Sequence, residues 1–216
     1  MQTIAAIDAG SNAMRMIVGC VNYGGNVEPI ENLRLPVRLG QDVYGTGQIG
    51  EKTAQQAVEA FLHFRKVAED FKVEKLRAVA TSAIREASNR DLFCDRIARA
   101  TGIEIDVISG EEEARLIHLA VVRAVNIKNK YALLIDIGGG SVEITLSQGE
   151  NIITTESYNM GTVRILQNLS GDKSSRLPLH KLVREYAEAA RRRIDKEVGA
   201  QKVDICIGTG GNIEEM

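Results

Sequence analysis

The chain has 216 residues, 44% of them hydrophobic and 26% charged, the mixture of a soluble globular protein, and no segment approaches the roughly 18 consecutive apolar residues a membrane helix needs. Lysine plus arginine (27) against aspartate plus glutamate (29) leaves a net charge of −2, so no global positive field draws the chain to nucleic acid, and a polyanionic ligand must be held by local groups. The opening segment, Met1 to Asp8, has no basic leader and meets a carboxylate too early for a secretory signal, so the expected compartment is the cytoplasm.

The first predicted element is a hairpin. Ile4 to Asp8 is apolar, Ala9-Gly10-Ser11-Asn12 is turn chemistry, and Met14 to Val21 is apolar again. A third strand follows over roughly Glu28 to Leu39, then a glycine-rich loop. Residues 52 to 71 place Ala54, Ala57, Val58, Phe61, Leu62, Phe64, Ala68 and Phe71 at helical spacing. A strand from Leu76 to Ala80 leads into Thr81-Ser82, where Ser82 is expected to cap a short helical turn. A helix from about Asp91 stops at Gly102, and a strand from Ile103 to Ile108 feeds a helix that opens on Glu111-Glu112-Glu113. Cys20, Cys94 and Cys206 share no metal-type spacing, and their apolar surroundings predict buried thiols rather than disulfides or zinc.

From Tyr131 the pattern begins again. Asp8-x-Gly10 returns 128 residues later as Asp136-x-Gly138 inside the same kind of hairpin, and Thr81 returns as Thr209 at the same offset. The helix of residues 53 to 71 should recur at 181 to 199, where Leu182, Val183, Tyr186, Ala190, Ile194 and Val198 form a stripe. Three colinear elements at one offset predict a duplicated α/β domain, with residues 1–128 as the first copy and 129–216 as the second. Nothing after Thr209 matches 89 to 125, so the second copy is expected to be incomplete and the intact protein longer, unless a partner subunit covers the edge; a homodimer is left open.

Asp136-Ile137-Gly138-Gly139-Gly140-Ser141 puts three glycines at a strand-to-strand turn, more than a tight hairpin needs, and favours backbone amides approaching a phosphate. Asp8, Asp136 and Glu143 are oxygen donors suited to magnesium. At the 128 offset Glu143 corresponds to Arg15, a cation in one copy where the other has a carboxylate, as expected if the two turns face each other across a phosphate. Arg85 could fork onto a phosphate. Helix-dipole stabilisation accounts for most of the Glu111–Glu113 triplet and leaves open whether one member is a base. Gly45-x-Gly47-x-x-Gly50 satisfies a dinucleotide pattern but follows no apolar strand, and His63, His118 and His180 are scattered with no nucleophile elbow. Arg191-Arg192-Arg193 lies off the apolar stripe of its helix and reads as a solvated face.

Six segments in order resemble the exopolyphosphatase and guanosine pentaphosphate phosphatase family, a branch of the actin, Hsp70 and sugar kinase superfold. They are Ala6-Ile-Asp-Ala-Gly-Ser-Asn12 with Arg15, Ala78-Val-Ala-Thr-Ser-Ala-Ile-Arg-Glu-Ala87, Ile108-Ser-Gly-Glu-Glu-Glu-Ala-Arg-Leu-Ile117, Leu134-Ile-Asp-Ile-Gly-Gly-Gly-Ser-Val-Glu143, Met160-Gly-Thr-Val-Arg164 and Gly208-Thr-Gly-Gly-Asn212. Ala13-Met14 stand where the family usually has Ser-Phe. The resemblance implies duplicated ribonuclease H-like domains, Glu113 as catalytic base and Arg85 on phosphate. It further implies phosphate contacts from Ser11, Arg15, Gly138 to Ser141 and Gly208, Thr209 and Gly210, and magnesium held by Asp8, Asp136 and Glu143. The implied activity is Mg2+-dependent release of terminal phosphate from inorganic polyphosphate or guanosine pentaphosphate, with neither nucleic acid nor membrane as partner. The rival readings are a non-catalytic alarmone sensor and an actin-like kinase.

Overall fold

The computed structural model describes residues 2–170, 179–198 and 202–211, and the chain divides into two compact units, Met1–Ile108 and Ser109–Met216, each around its own sheet. In the first unit β1 (Gln2–Ala9) and β2 (Met14–Val21) form the expected hairpin, and β3 (Val27–Leu35) pairs on beyond β2. Alternation decides the faces: Ile7, Met14, Met16 and Val18 turn inward, while Asp8 and Arg15, direct cross-strand partners, share the exposed face. Ala13 and Met14 also point into the core, so the departure there changes packing and not charge.

Two helices follow, α1 (Leu39–Thr46) and α2 (Glu51–Asp70). The loop expected around 40 to 50 is thus partly helix. Gly47 ends α1 at φ 79°, so the first two glycines of the dinucleotide-like pattern belong to a helix and its C-cap. Phe61 and Phe64 are fully buried in edge-to-face contact at 5.9 Å, each worth about 1.5–3 kcal/mol of burial. Leu62 and Phe71, expected on the same stripe, are exposed: Leu62 is a sixth-to-quarter turn off it, and Phe71 follows the last helical residue. The unit is completed by β4 (Lys75–Ala80), α3 (Ser82–Glu86), α4 (Arg90–Thr101) and β5 (Ile105–Val107), giving strand order β3-β2-β1-β4-β5.

The second unit opens with α5 (Gly110–Ala124). The expected division at 128/129 puts this helix in the first copy. In the structure the division falls at Ile108/Ser109, because α5 packs its Val121, Ile117 and Val122 with Ala132, Leu134, Ile205 and Ile207 of the second sheet. That sheet consists of β6 (Tyr131–Ile137), β7 (Val142–Gln148), β8 (Asn151–Tyr158) and β9 (Ile205–Thr209), in the order β8-β7-β6-β9. Its opposite face meets α7 (Leu179–Val198), through the Tyr158–Tyr186 ring contact and an Arg193–Glu156 ion pair at 2.8 Å. Arg191 and Arg192 are exposed, as a solvated face requires, whereas Arg193, expected on the same face and half-exposed, turns to the sheet and its Glu156. A helix not foreseen in this copy, α6 (Thr162–Ser170), follows β8.

The hairpin and long helix repeat at the 128 offset: Asp136 pairs with Glu143 as Asp8 pairs with Arg15, and α7 stands 128 residues after α2. The last strand does not. Asp8 lies beside Val79 in the β1–β4 ladder, but Asp136 lies beside Thr209, so Thr209 takes the place of Val79 and not of Thr81. The cause is a connection between long helix and strand that is two residues longer in the second copy. Cys20 and Cys94 are partly buried, but Cys206 is exposed, because alternation along β9 sends Ile205 and Ile207 to the α5 face and Cys206 to the other.

Candidate active site

The residues singled out in the sequence gather at corresponding ends of the two sheets. In the first unit Asp8 ends β1, Ser11 lies in the turn, Arg15 starts β2, and Arg85 is in α3 just after β4. The Arg85 side chain donates to the Ile108 carbonyl at 2.9 Å, which ties α3 to the last residue of the first unit. Ser82 does not cap α3. Thr81 holds the N-cap position with no side-chain cap bond, and the Ser82 hydroxyl donates instead to Glu86 at 3.0 Å. The Ser11 hydroxyl, expected at a phosphate, lies 2.7 Å from Tyr44 Oη, and Ser11 is buried. Tyr44 was not foreseen, since nothing in its local pattern places it beside the turn.

In the second unit the start of α5, Asp136, the glycine turn, Glu143, Ser157 and Thr209 come to one end of the sheet. Ser109 caps α5, its hydroxyl accepting from the Glu112 amide at 3.2 Å, and Glu112 forks onto Arg115 at 2.6 and 2.8 Å. Of the acidic triplet, then, Glu112 is engaged in an ion pair along its own helix, and Glu113 is half-buried one residue further on.

The glycine turn is held by α6. The Gly138 carbonyl accepts from the Thr162 amide (3.1 Å), that of Gly139 from Val163 (2.8 Å) and Arg164 (3.1 Å), and that of Gly140 from Gly161 (3.1 Å) and from Arg164 Nε (2.8 Å). Across a trans peptide the carbonyl and the following N–H point in opposite directions. With the carbonyls turned into α6, the amides of Gly139, Gly140 and Ser141 are directed away from it, a row of donors suited to an anion. Close contact makes this possible: a Cβ on Gly161 would stand 2.3 Å from Gly140 N. Gly161 and Arg164 are thus parts of the turn that residue-by-residue reading passes over, although both fall in a segment carrying the family resemblance.

Asp136 and Glu143 face each other across the β6–β7 ladder, and two carboxylates directly opposite are unfavourable unless compensated. Two hydroxyls contribute: Thr209 donates to Asp136 Oδ1 at 2.5 Å and Ser157 to Glu143 Oε1 at 2.7 Å. Burial pushes the Asp136 carboxyl above its ordinary range, and the Thr209 hydrogen bond pulls it part of the way back. A divalent cation would reverse that push, and magnesium commonly takes only one or two carboxylates together with substrate phosphate and water, so this pair fits it. Asp8, the third expected ligand, belongs to the first unit, and among the described residues no three His, Cys, Asp or Glu side chains form a group that could hold a metal ion. Gly208 and Gly210 flank Thr209 at the end of β9, with Gly210 at φ 99° against the backbone of Ile137; Asn212 lies outside the described residues.

A family model described as the Ppx/GppA phosphatase family matches residues 18–214. An exopolyphosphatase from Cytophaga hutchinsonii ATCC 33406 is similar with a TM-score of 0.87 and 27% identity, over 99% of this chain and 68% of that one. The Aquifex aeolicus member of the Ppx/GppA family gives 0.77 and 28%, over 98% and 67%. The ethanolamine utilization protein EutJ from Carboxydothermus hydrogenoformans, at 14% identity and 0.52 over 99% and 78%, shows the actin-like fold alone.

Proposed function

The chain belongs to the Ppx/GppA phosphatase family, and we propose that it cleaves a terminal phosphoanhydride bond, releasing orthophosphate from inorganic polyphosphate, with guanosine pentaphosphate as the nucleotide alternative. The observation that carries this reading is the glycine turn with its carbonyls locked into α6 beside the Asp136–Glu143 pair, an anion cradle next to a site for a divalent cation. The amides of Gly139, Gly140 and Ser141 receive the terminal phosphoryl oxygens, and preorganised donors of this kind stabilise the charge that develops there during transfer. Asp136 and Glu143 would hold magnesium, which would offset phosphoryl charge when bound.

Glu113, in the first turn of α5, accepts a proton from the attacking water as its oxygen bonds to the terminal phosphorus. The bond from that phosphorus to the bridging oxygen breaks, and the shortened chain leaves with the bridging oxygen. Arg85 and Arg15, as cations for phosphate, and Asp8, as an oxygen donor for magnesium, belong to the first unit. The expected compartment is the cytoplasm; no helix among the described residues is long and apolar enough to cross a membrane.

The test is orthophosphate release with and without Mg2+, offering polyphosphate and guanosine pentaphosphate in parallel. Mg2+-dependent release from either supports the reading and names the substrate. Tight binding of both without release would replace it with a sensor, and transfer to an added acceptor with a kinase.

A further inference from the structure

We propose that Ser157 is a positioning residue, which locks Glu143 and the first turn of α5 onto one another; the proposal rests on reading Glu143 and Glu113 as parts of the site. Ser157 lies in β8 directly across the β7–β8 ladder from Glu143, on the sheet face that α5 covers. Its hydroxyl donates to Glu143 Oε1 at 2.7 Å. Glu143 is only 2% exposed, so this donor stands in for water that the carboxylate has lost.

The same side chain is the seat of α5. A Cβ built on Gly110 would stand 2.6 Å from Ser157 Cβ and 2.7 Å from its Oγ, so the helix start rests on Ser157 with no side chain between them. Gly110 is the first residue of α5, and the Glu113 amide donates to the carbonyl of Ser109 at 3.0 Å, one residue before it. A continuous series of contacts therefore runs from the Glu143 carboxylate through Ser157 to Gly110, Ser109 and the backbone of Glu113. This explains two sequence features that phosphate chemistry leaves over: the glycine that precedes the three glutamates, and a small hydroxyl residue at 157.

The hydroxyl and the Cβ of Ser157 have separable duties, and the experiment separates them. Ser157→Ala keeps the seat and removes the donor. Turnover should fall about tenfold or more with KM changed by less than about threefold, and Mn2+ affinity of the substrate-free chain, read by electron paramagnetic resonance, should weaken several-fold. Ser157→Thr, which keeps the hydroxyl, should restore Mn2+ affinity. Gly110→Ala should lower the melting temperature, and adding Ser157→Gly should recover it without recovering Mn2+ affinity, a non-additive pair. Unchanged Mn2+ affinity in Ser157→Ala, or additive melting shifts in the double variant, would overturn the proposal. If the wild-type chain releases no phosphate from any substrate, the functional reading fails, and the Mn2+ and melting measurements still decide the role of Ser157.

Discussion

The hydroxyl of Ser11 is 2.7 Å from that of Tyr44, and the direction of its proton is set at the far end of the chain they begin. Tyr44 donates to Ser82 at 3.0 Å, and Ser82 donates to a Glu86 carboxylate oxygen at 3.0 Å. An ionised carboxylate only accepts, and each hydroxyl has one proton. With the Ser82 proton on Glu86 and the Tyr44 proton on Ser82, Ser11 donates to Tyr44 and has no proton left for a phosphate. Whatever Ser11 offers an anion comes from its backbone.

Ser11→Ala should therefore change the affinity for inorganic phosphate, measured by titration calorimetry without metal, by less than about threefold, whereas loss of a hydrogen bond to a charged group costs about tenfold or more. A tenfold loss would show that the hydroxyl faces the ligand.

Glu113→Gln keeps the shape and helix preference of the side chain and removes its capacity to take up a proton. Turnover should drop by about a hundredfold or more, with binding of the unreacted substrate retained. Near wild-type turnover would move the role of base to another residue. Glu112 is the weaker successor, since it is already forked onto Arg115.

Gly161→Ala tests the phosphate turn from behind. The new methyl would meet the backbone of Gly140 and Gly139, which cannot swing aside as a side chain can, so the turn and α6 must part. Phosphate affinity should fall about tenfold or more while far-UV circular dichroism stays close to wild type. Gly139→Val, which adds bulk on the turn itself, should do the same. Retained affinity in a folded Gly161→Ala would mean that the α6 contacts do not shape the cradle.

The three cysteines should separate by alkylation rate. Cys206 is exposed and should react first with a maleimide under native conditions. Burial pushes the Cys94 thiol up, helped by the Asp91 and Asp95 carboxylates and opposed by Arg90, so its reactive thiolate appears only at more alkaline pH. Mass mapping of the labelled peptides over a pH series checks the order, and Cys94 reacting before Cys206 near neutral pH would contradict it.

Much of this was legible in the sequence because period and punctuation carry it. The hairpins show in apolar runs broken by Gly10 and Gly138, and the long helices in stripes at a spacing of three and four. The glycine turn shows in composition as three successive glycines between two apolar runs, which is what invites the reading of an anion cradle. What stayed hidden depends on partners distant in the chain. Ser157 acquires meaning only when β8 lies beside Glu143 and α5 lies on top, and Tyr44 only when α1, itself too short to show a period, lies beside Ser11 and Ser82. Assigning α5 to the first repeat failed for the same reason, since an amphipathic helix announces that it has an apolar face but not which sheet will cover it.

The two aspartates that look like copies of one another have grown chemically apart. Two residues of slippage along a strand is a displacement of about 7 Å, well beyond the reach of a hydrogen bond, and it places a hydroxyl beside Asp136 and an isopropyl group beside Asp8. A strand exchanged between the halves by matching their threonines would not carry the Asp136 environment to Asp8. The single substitution that would is Val79→Thr, nearly the same in volume. In this sense the internal symmetry is a symmetry of backbone: it reproduces the hairpins and the long helices, and each half has been free to give its aspartate a different neighbour and thus a different trade.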